Sequence, residues 1–213
     1  MMDTKNVFII GDSYSTYKGY NPEGYSCYYS DERTSEPVVG GVEKTWWRIL
    51  ARENQLDIVM NDSFSGSTVC NTVRETLIVE SSFISRIDRY IESGFFDESK
   101  IDLMLIFGGT NDSWIDAPIG ELKYAEQTSE ELKRVLPAFC YLIGKARTVA
   151  EKVVVIINSD LKEKITCGFC EACETLGVKH LRLEGIDKKN GHPTELGMEQ
   201  SASQVALALK QQL

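Results

Sequence analysis

The apolar residues of this chain gather into runs of strand length: Val7 to Ile10, Asp57 to Met60, Ile101 to Phe107, Val153 to Ile157 and Val178 to Leu181. Each is followed by turn-forming residues. Between the runs, apolar positions recur at helical spacing, from about Lys44 to Asn54, Asn71 to Ser93, Ser129 to Ala150, Leu161 to Leu176 and Thr194 to Gln211. A strand that is apolar throughout needs cover on both of its faces, and the helical stretches are the elements that can supply it. The alternation predicts an α/β fold, a three-layer α/β/α sandwich around a flavodoxin-like five-stranded parallel sheet. Ligands of such sheets sit beyond the carboxyl ends of the strands, so the chemistry is expected immediately after each run.

Composition narrows the function more than the fold. The 213 residues suit one domain spanning 1–213, and 42% hydrophobic with 26% charged residues is ordinary for a globular protein. A net charge of −9, with no long run of Lys or Arg, argues against a nucleic-acid partner and mildly against polyanionic substrates. No apolar stretch is long enough to span a membrane. Met1 to Asn6 leads straight into the first strand without a basic region or cleavage site, so a cytoplasmic location is expected. Of the six cysteines, Cys167, Cys170 and Cys173 fall within a predicted helix, with no second Cys pair and no His at finger spacing. Reduced thiols, no metal and no cofactor are the expectation.

Two connections exceed the usual βα loop of about two to six residues. Tyr14 to Glu43 carries Tyr14, Tyr17, Tyr20, Tyr25, Tyr28 and Tyr29, and Ser113 to Thr128 carries Trp114. Their aromatics either fill gaps under surface loops or form a pocket wall able to stack on a sugar ring or an acyl chain.

Four short segments at the predicted active edge carry candidate chemistry. Gly11-Asp12-Ser13-Tyr14-Ser15 follows the first strand, Asn61 to Ser67 with Gly66 the second, and Gly108-Gly109-Thr110-Asn111-Asp112 the third; Gly191-His192-Pro193-Thr194 precedes the last helix. Each has a plain structural reading, whether capping serine, loop glycine, Asx turn or surface histidine. Together they supply a nucleophile, oxyanion donors and a base. The other histidine, His180, lies inside an apolar strand pattern, which leaves His192 as the base candidate.

Ser13, Gly66, Asn111 and His192, in this order and these contexts, resemble the four marker blocks of the SGNH (GDSL-like) hydrolases across nearly the whole chain. The resemblance implies a serine ester hydrolase with catalytic Ser13 and His192 and an oxyanion hole from Ser13, Gly66 and Asn111. Asp12, Tyr14 and Trp114 are expected to border the substrate. One departure stands out, because the family's Asp three residues before the histidine is here Lys189. Asp187, five residues before His192, would take the orienting role if a lengthened loop brings it to the imidazole; the alternative is a dyad in which a backbone carbonyl holds the ring.

The substrate expected on this basis is a small-molecule O-acyl ester, with acetyl favoured, including esters carried on carbohydrates. The polar stretch Tyr20 to Gly41 does not resemble a lipase lid, yet a short-chain lipase or acylhydrolase on lipid or thioester substrates is an alternative. A second alternative is a non-catalytic carbohydrate-binding module. A nucleotide-binding role is disfavoured because neither G-x-x-x-x-G-K-[ST] nor G-x-G-x-x-G occurs.

Overall fold

A computed structural model describes residues 4–210. Five parallel strands, β1 (Lys5–Gly11), β2 (Leu56–Ser63), β3 (Ile101–Gly108), β4 (Ala150–Ile157) and β5 (Lys179–Arg182), lie in the order β2-β1-β3-β4-β5. Successive side chains point to opposite faces, so each apolar strand feeds two cores. Phe8, Ile10, Met104, Ile106, Val153, Val155 and Ile157 face one layer, and Val7, Ile9, Leu103, Leu105, Phe107, Val154 and Ile156 face the other.

The first layer is built by α2 (Phe83–Glu92), α5 (Val135–Val149) and α6 (Glu163–Leu176); the second by α1 (Trp46–Asn54) and α7 (Glu195–Lys210). The expected sandwich is therefore formed. Short helices α3 (Phe95–Glu98) and α4 (Thr110–Trp114) complete the set, with a small hairpin of β6 (Lys188–Lys189) and β7 (His192–Pro193) before α7.

Two predicted helices are shorter than their periodicity suggested. Residues 71–82 are irregular apart from a 3-10 turn at Val79–Ser81, and α2 begins only after Ser82, whose hydroxyl accepts from the Ser85 amide at 3.2 Å. A hydroxyl at this position satisfies an amide that has no partner inside the helix, which fixes the start there. Likewise α5 starts at Val135 after extended Arg134, and its Pro137 falls in the first turn, where a missing N–H costs nothing.

The chain passes from β1 to β2 on one side and returns to β3 on the other, so the strand order reverses between β1 and β3. The segments leaving these two strands diverge there and open a crevice. Ser13 leaves β1 and Asn111 leaves β3 at this point. Close approach at this edge is what requires glycine at 108, where a Cβ would lie 2.5 Å from the Phe83 ring. Among the described residues no helix is long and apolar enough to cross a membrane.

Candidate active site

Ser13 opens a 3-10 turn that Asp12 caps by accepting the Tyr14 amide at 3.1 Å. Within this turn Ser13 Oγ lies 3.0 Å from His192 Nε2. On the opposite side of the ring, Nδ1 lies 3.2 Å from the carbonyl oxygen of Asn190. A carbonyl can only accept, so Nδ1 carries the proton and Nε2 presents a lone pair to the serine hydroxyl. Both side chains are nearly closed off, with Ser13 3% and His192 7% exposed. Burial holds the imidazole well below its usual range, at about 4; the Asn190 carbonyl raises it, while Arg33, Lys188 and Arg74 lower it further.

Asp187 does not meet the imidazole. Asn190 (φ 52°) and Gly191 (φ 76°) are both left-handed and form the two-residue turn of the hairpin in which Lys189 pairs with His192 and Lys188 with Pro193. Continuing that register sets Asp187 beside Thr194. The Thr194 amide donates to the Asp187 carbonyl at 3.1 Å, and the Thr194 hydroxyl donates to its carboxylate. Thr194 in turn accepts from the Gly197 amide at 3.2 Å in the first turn of α7. The two additional residues are thus absorbed by a tight turn that offers a backbone carbonyl to the ring, while Asp187 supports the start of a helix.

Aromatic rings hold the imidazole on several sides. Tyr28 stacks on it at 3.5 Å between centroids and 7° between planes, while Tyr14 and Trp114 approach at 5.4 and 5.5 Å. Tyr14 is buried, packs edge-on against Phe107, and donates its hydroxyl to the Gly191 carbonyl, tying the hairpin turn to the first loop. Trp114 is 44% exposed and forms an open rim beside the ring. Of the tyrosine-rich loop, Tyr17 and Tyr29 are buried under the loop and Tyr20 is exposed. The loop thus fills gaps and also brings Tyr14 and the face of Tyr28 to the imidazole.

The other two marker positions are drawn together by hydrogen bonds between loops. The Ser67 amide donates to the Phe64 carbonyl at 3.2 Å, closing a turn with Gly66 at φ 88°, a conformation that favours glycine, and leaving the Gly66 amide outside that bond. Asn111 Nδ2 donates to the Ser67 carbonyl at 2.9 Å, and the buried Asp112 carboxylate accepts from the Val69 and Cys70 amides. Beneath them Arg86, fully buried, donates to Asp62 Oδ2 at 2.6 Å, the Gly11 carbonyl at 3.0 Å and Ser67 Oγ at 3.2 Å. One guanidinium therefore joins the ends of β1 and β2 to the Gly66 turn.

Asp12 lies below Ser13 rather than lining an open pocket. It is fully buried, Oδ2 has no hydrogen-bond partner, and burial pushes its carboxyl up to about 7. The sequence did not point to Arg74 or Arg86; it offered Tyr28 only as one of several loop aromatics, and a backbone carbonyl as the alternative to Asp187 without singling out that of Asn190. Only the last had a readable signal, because Asn-Gly between two extended residues marks a two-residue hairpin turn. On α6, Cys167 is exposed, Cys170 half-buried and Cys173 buried, and no group of metal-ligating side chains occurs among the described residues.

A serine hydroxyl against a buried neutral imidazole, at the switch point of a parallel sheet, is the arrangement of a serine ester hydrolase. Residues 5–209 match the profile of the GDSL-like lipase/acylhydrolase family, and the chain belongs to that family. A structure described as a GDSL-like lipase of Bacteroides ovatus is 34% identical with a TM-score of 0.90, over 99% of this chain and 100% of that one. One from Bacteroides uniformis is 37% identical with a TM-score of 0.90, over 99% and 97%. A carbohydrate acetylesterase of Sinorhizobium meliloti shares the fold at 16% identity and a TM-score of 0.63, over 99% and 100%. No curated protein sequence matches the chain.

Proposed function

We propose that the enzyme removes small acyl groups, acetyl foremost, from hydroxyls, including those of carbohydrates, through an acyl-enzyme on Ser13. The observation that carries the reading is the 3.0 Å contact between Ser13 Oγ and His192 Nε2, made with Nδ1 already committed to a carbonyl. His192 takes the hydroxyl proton as Ser13 Oγ bonds to the ester carbon. The negative charge on the carbonyl oxygen is met by the amides of Ser13 and Gly66 and by the second N–H of Asn111. Collapse expels the alcohol, which receives the proton from His192; water then repeats the sequence to release the acid.

The Asn190 carbonyl has the role usually given to a carboxylate, fixing the tautomer and accepting from the imidazolium. Asp187 is assigned to the hairpin and to α7. The enclosed Ser13 suits a short acyl group, and the open face of Trp114 beside His192 suits a neutral sugar as the alcohol. The same fold carries a carbohydrate acetylesterase in S. meliloti. One observation favours longer acyl chains: Ile78 and Val79, 69% and 43% exposed, follow Leu77, which packs at Gly66.

Hydrolysis of a nitrophenyl ester series by wild type and Ser13→Ala tests the reading. Turnover should fall by at least about a thousandfold in the variant, with acetate the best substrate. Rising rates from butyrate to octanoate would favour the lipid reading, and activity that survives Ser13→Ala would overturn both.

A further inference from the structure

Arg74 sits in the irregular segment between the Gly66 turn and α2, where neither helix nor sheet dictates its direction. Its Nε and Nη2 both donate to Asn111 Oδ1, at 3.3 and 3.0 Å. Asn111 Nδ2 spends one N–H on the Ser67 carbonyl at 2.9 Å. The side-chain amide is thus held at both ends, and a single N–H is left over. An amide whose oxygen accepts from a cation is polarised, and its remaining N–H becomes a stronger donor.

The segment carrying Arg74 is itself anchored. The Asn71 amide donates to the Leu132 carbonyl at 2.9 Å, the Thr72 hydroxyl to the Lys133 carbonyl at 2.7 Å, and the Leu77 amide to the Arg74 carbonyl at 2.9 Å. Arg74 also reaches over the neighbouring donor: a Cβ built on Gly66 would meet Leu77 at 3.2 Å and Arg74 Cδ at 3.7 Å. The contrast with Arg86 is informative. Arg86 is neutralised by Asp62, whereas Arg74 forms no carboxylate ion pair among the described residues and its only hydrogen-bond acceptor is the Asn111 amide oxygen. An arginine placed only to pin its loop would be served equally well by a carboxylate or a backbone carbonyl.

The geometry points to Arg74 as a positioning residue for the oxyanion hole: its guanidinium orients and polarises the Asn111 amide so that the free N–H meets the oxyanion. This rests on the esterase reading above and deepens it, since the cation acts through Asn111 and touches no reacting atom itself. The benefit arises only when charge develops on the substrate oxygen, so it belongs in kcat rather than in KM.

The test is a double-mutant cycle read by steady-state kinetics on a nitrophenyl acetate, with thermal unfolding of each variant alongside. Arg74→Ala should lower kcat about 10- to 100-fold with KM little changed, and should cost no more than about threefold once Asn111 is already alanine. Arg74→Lys keeps the charge but cannot set two donors on one oxygen, so it should fall between wild type and Arg74→Ala. An equal loss in both backgrounds, a loss confined to KM, or an Asn111→Ala enzyme with undiminished turnover would each overturn the assignment. If Arg74→Ala fails to fold, the cycle is run with Arg74→Lys, whose penalty should likewise disappear in Asn111→Ala. Activity that persists in Ser13→Ala would instead overturn the esterase reading, and this inference with it.

Discussion

The two halves of the Ser13–His192 pair are held by different physical means. Ser13 stands two residues beyond β1, a strand paired on both sides, above a network in which Arg86 binds Gly11, Asp62 and Ser67. His192 stands on a two-stranded hairpin outside the main sheet, held by a carbonyl two residues away, the stacked ring of Tyr28 and the edges of Tyr14 and Trp114. The proposed nucleophile depends on the rigidity of the core, and the proposed base on surface loops that shield it from water. Damage on the first side should appear as lost stability, and damage on the second as altered ionisation.

The largest effect is expected from Arg86→Ala, which removes the buried charge partner of Asp62 and leaves that carboxylate only the half-exposed Arg89, 3.8 Å from Oδ1. Removing one member of a buried pair costs about 3–5 kcal/mol, so chemical denaturation should show a loss of that size. A loss below about 1 kcal/mol would mean that the network does not brace the nucleophile's side.

Next comes the ionisation of the base. Because His192 is held down to about 4, the rate should fall only as pH drops through that region, where imidazolium forms, and should be level from there to neutrality. The same depression means that the unfolded chain takes up a proton in the window from about 6.5 down to 4 that the folded chain refuses, so His192 makes folding less favourable as pH falls through it. Tyr28→Ala opens the ring to water and should move the kinetic acid limb upward, toward 6.5. A wild-type limb already near 6.5 would show that the imidazole is as well hydrated as an exposed one.

The smallest effect is assigned to Asp187→Ala. Its carboxylate accepts from Thr194 and makes no hydrogen bond to His192, so turnover should stay within about threefold while thermal stability falls by about 1 kcal/mol, the usual value of one hydrogen bond. A hundredfold loss of turnover without loss of stability would restore a direct role on the imidazole and dissolve the contrast between the two halves.

How far the chain could be read without its structure follows the same division. The strands were legible because Phe8 and Val7, or Val155 and Val154, must each be buried although they face opposite layers, which only a doubly covered sheet allows. Ser13, Gly66, Asn111 and His192 could be singled out as candidates because the carboxyl edge of such a sheet is where loops converge, and the structure brings Ser13 to His192 and Asn111 to the Gly66 turn. Residues 71–82 were misread as helix because apolar spacing does not register a hydrogen bond as specific as the one Ser82 makes to Ser85.

What the sequence determined by itself was therefore the sheet and its two cores, which follow from local periodicity, with Ser13 and His192 offered as the candidate nucleophile and base at its carboxyl edge. What only the tertiary structure decided was the support of the base and the setting of Asn111. Asn190 faces the imidazole and Asp187 faces Thr194 because the hairpin's pairing register, rather than separation along the chain, fixes which groups meet. Tyr28 and Arg74 reach the site from loops whose paths are set by long-range hydrogen bonds and packing, interactions that leave no period in the sequence.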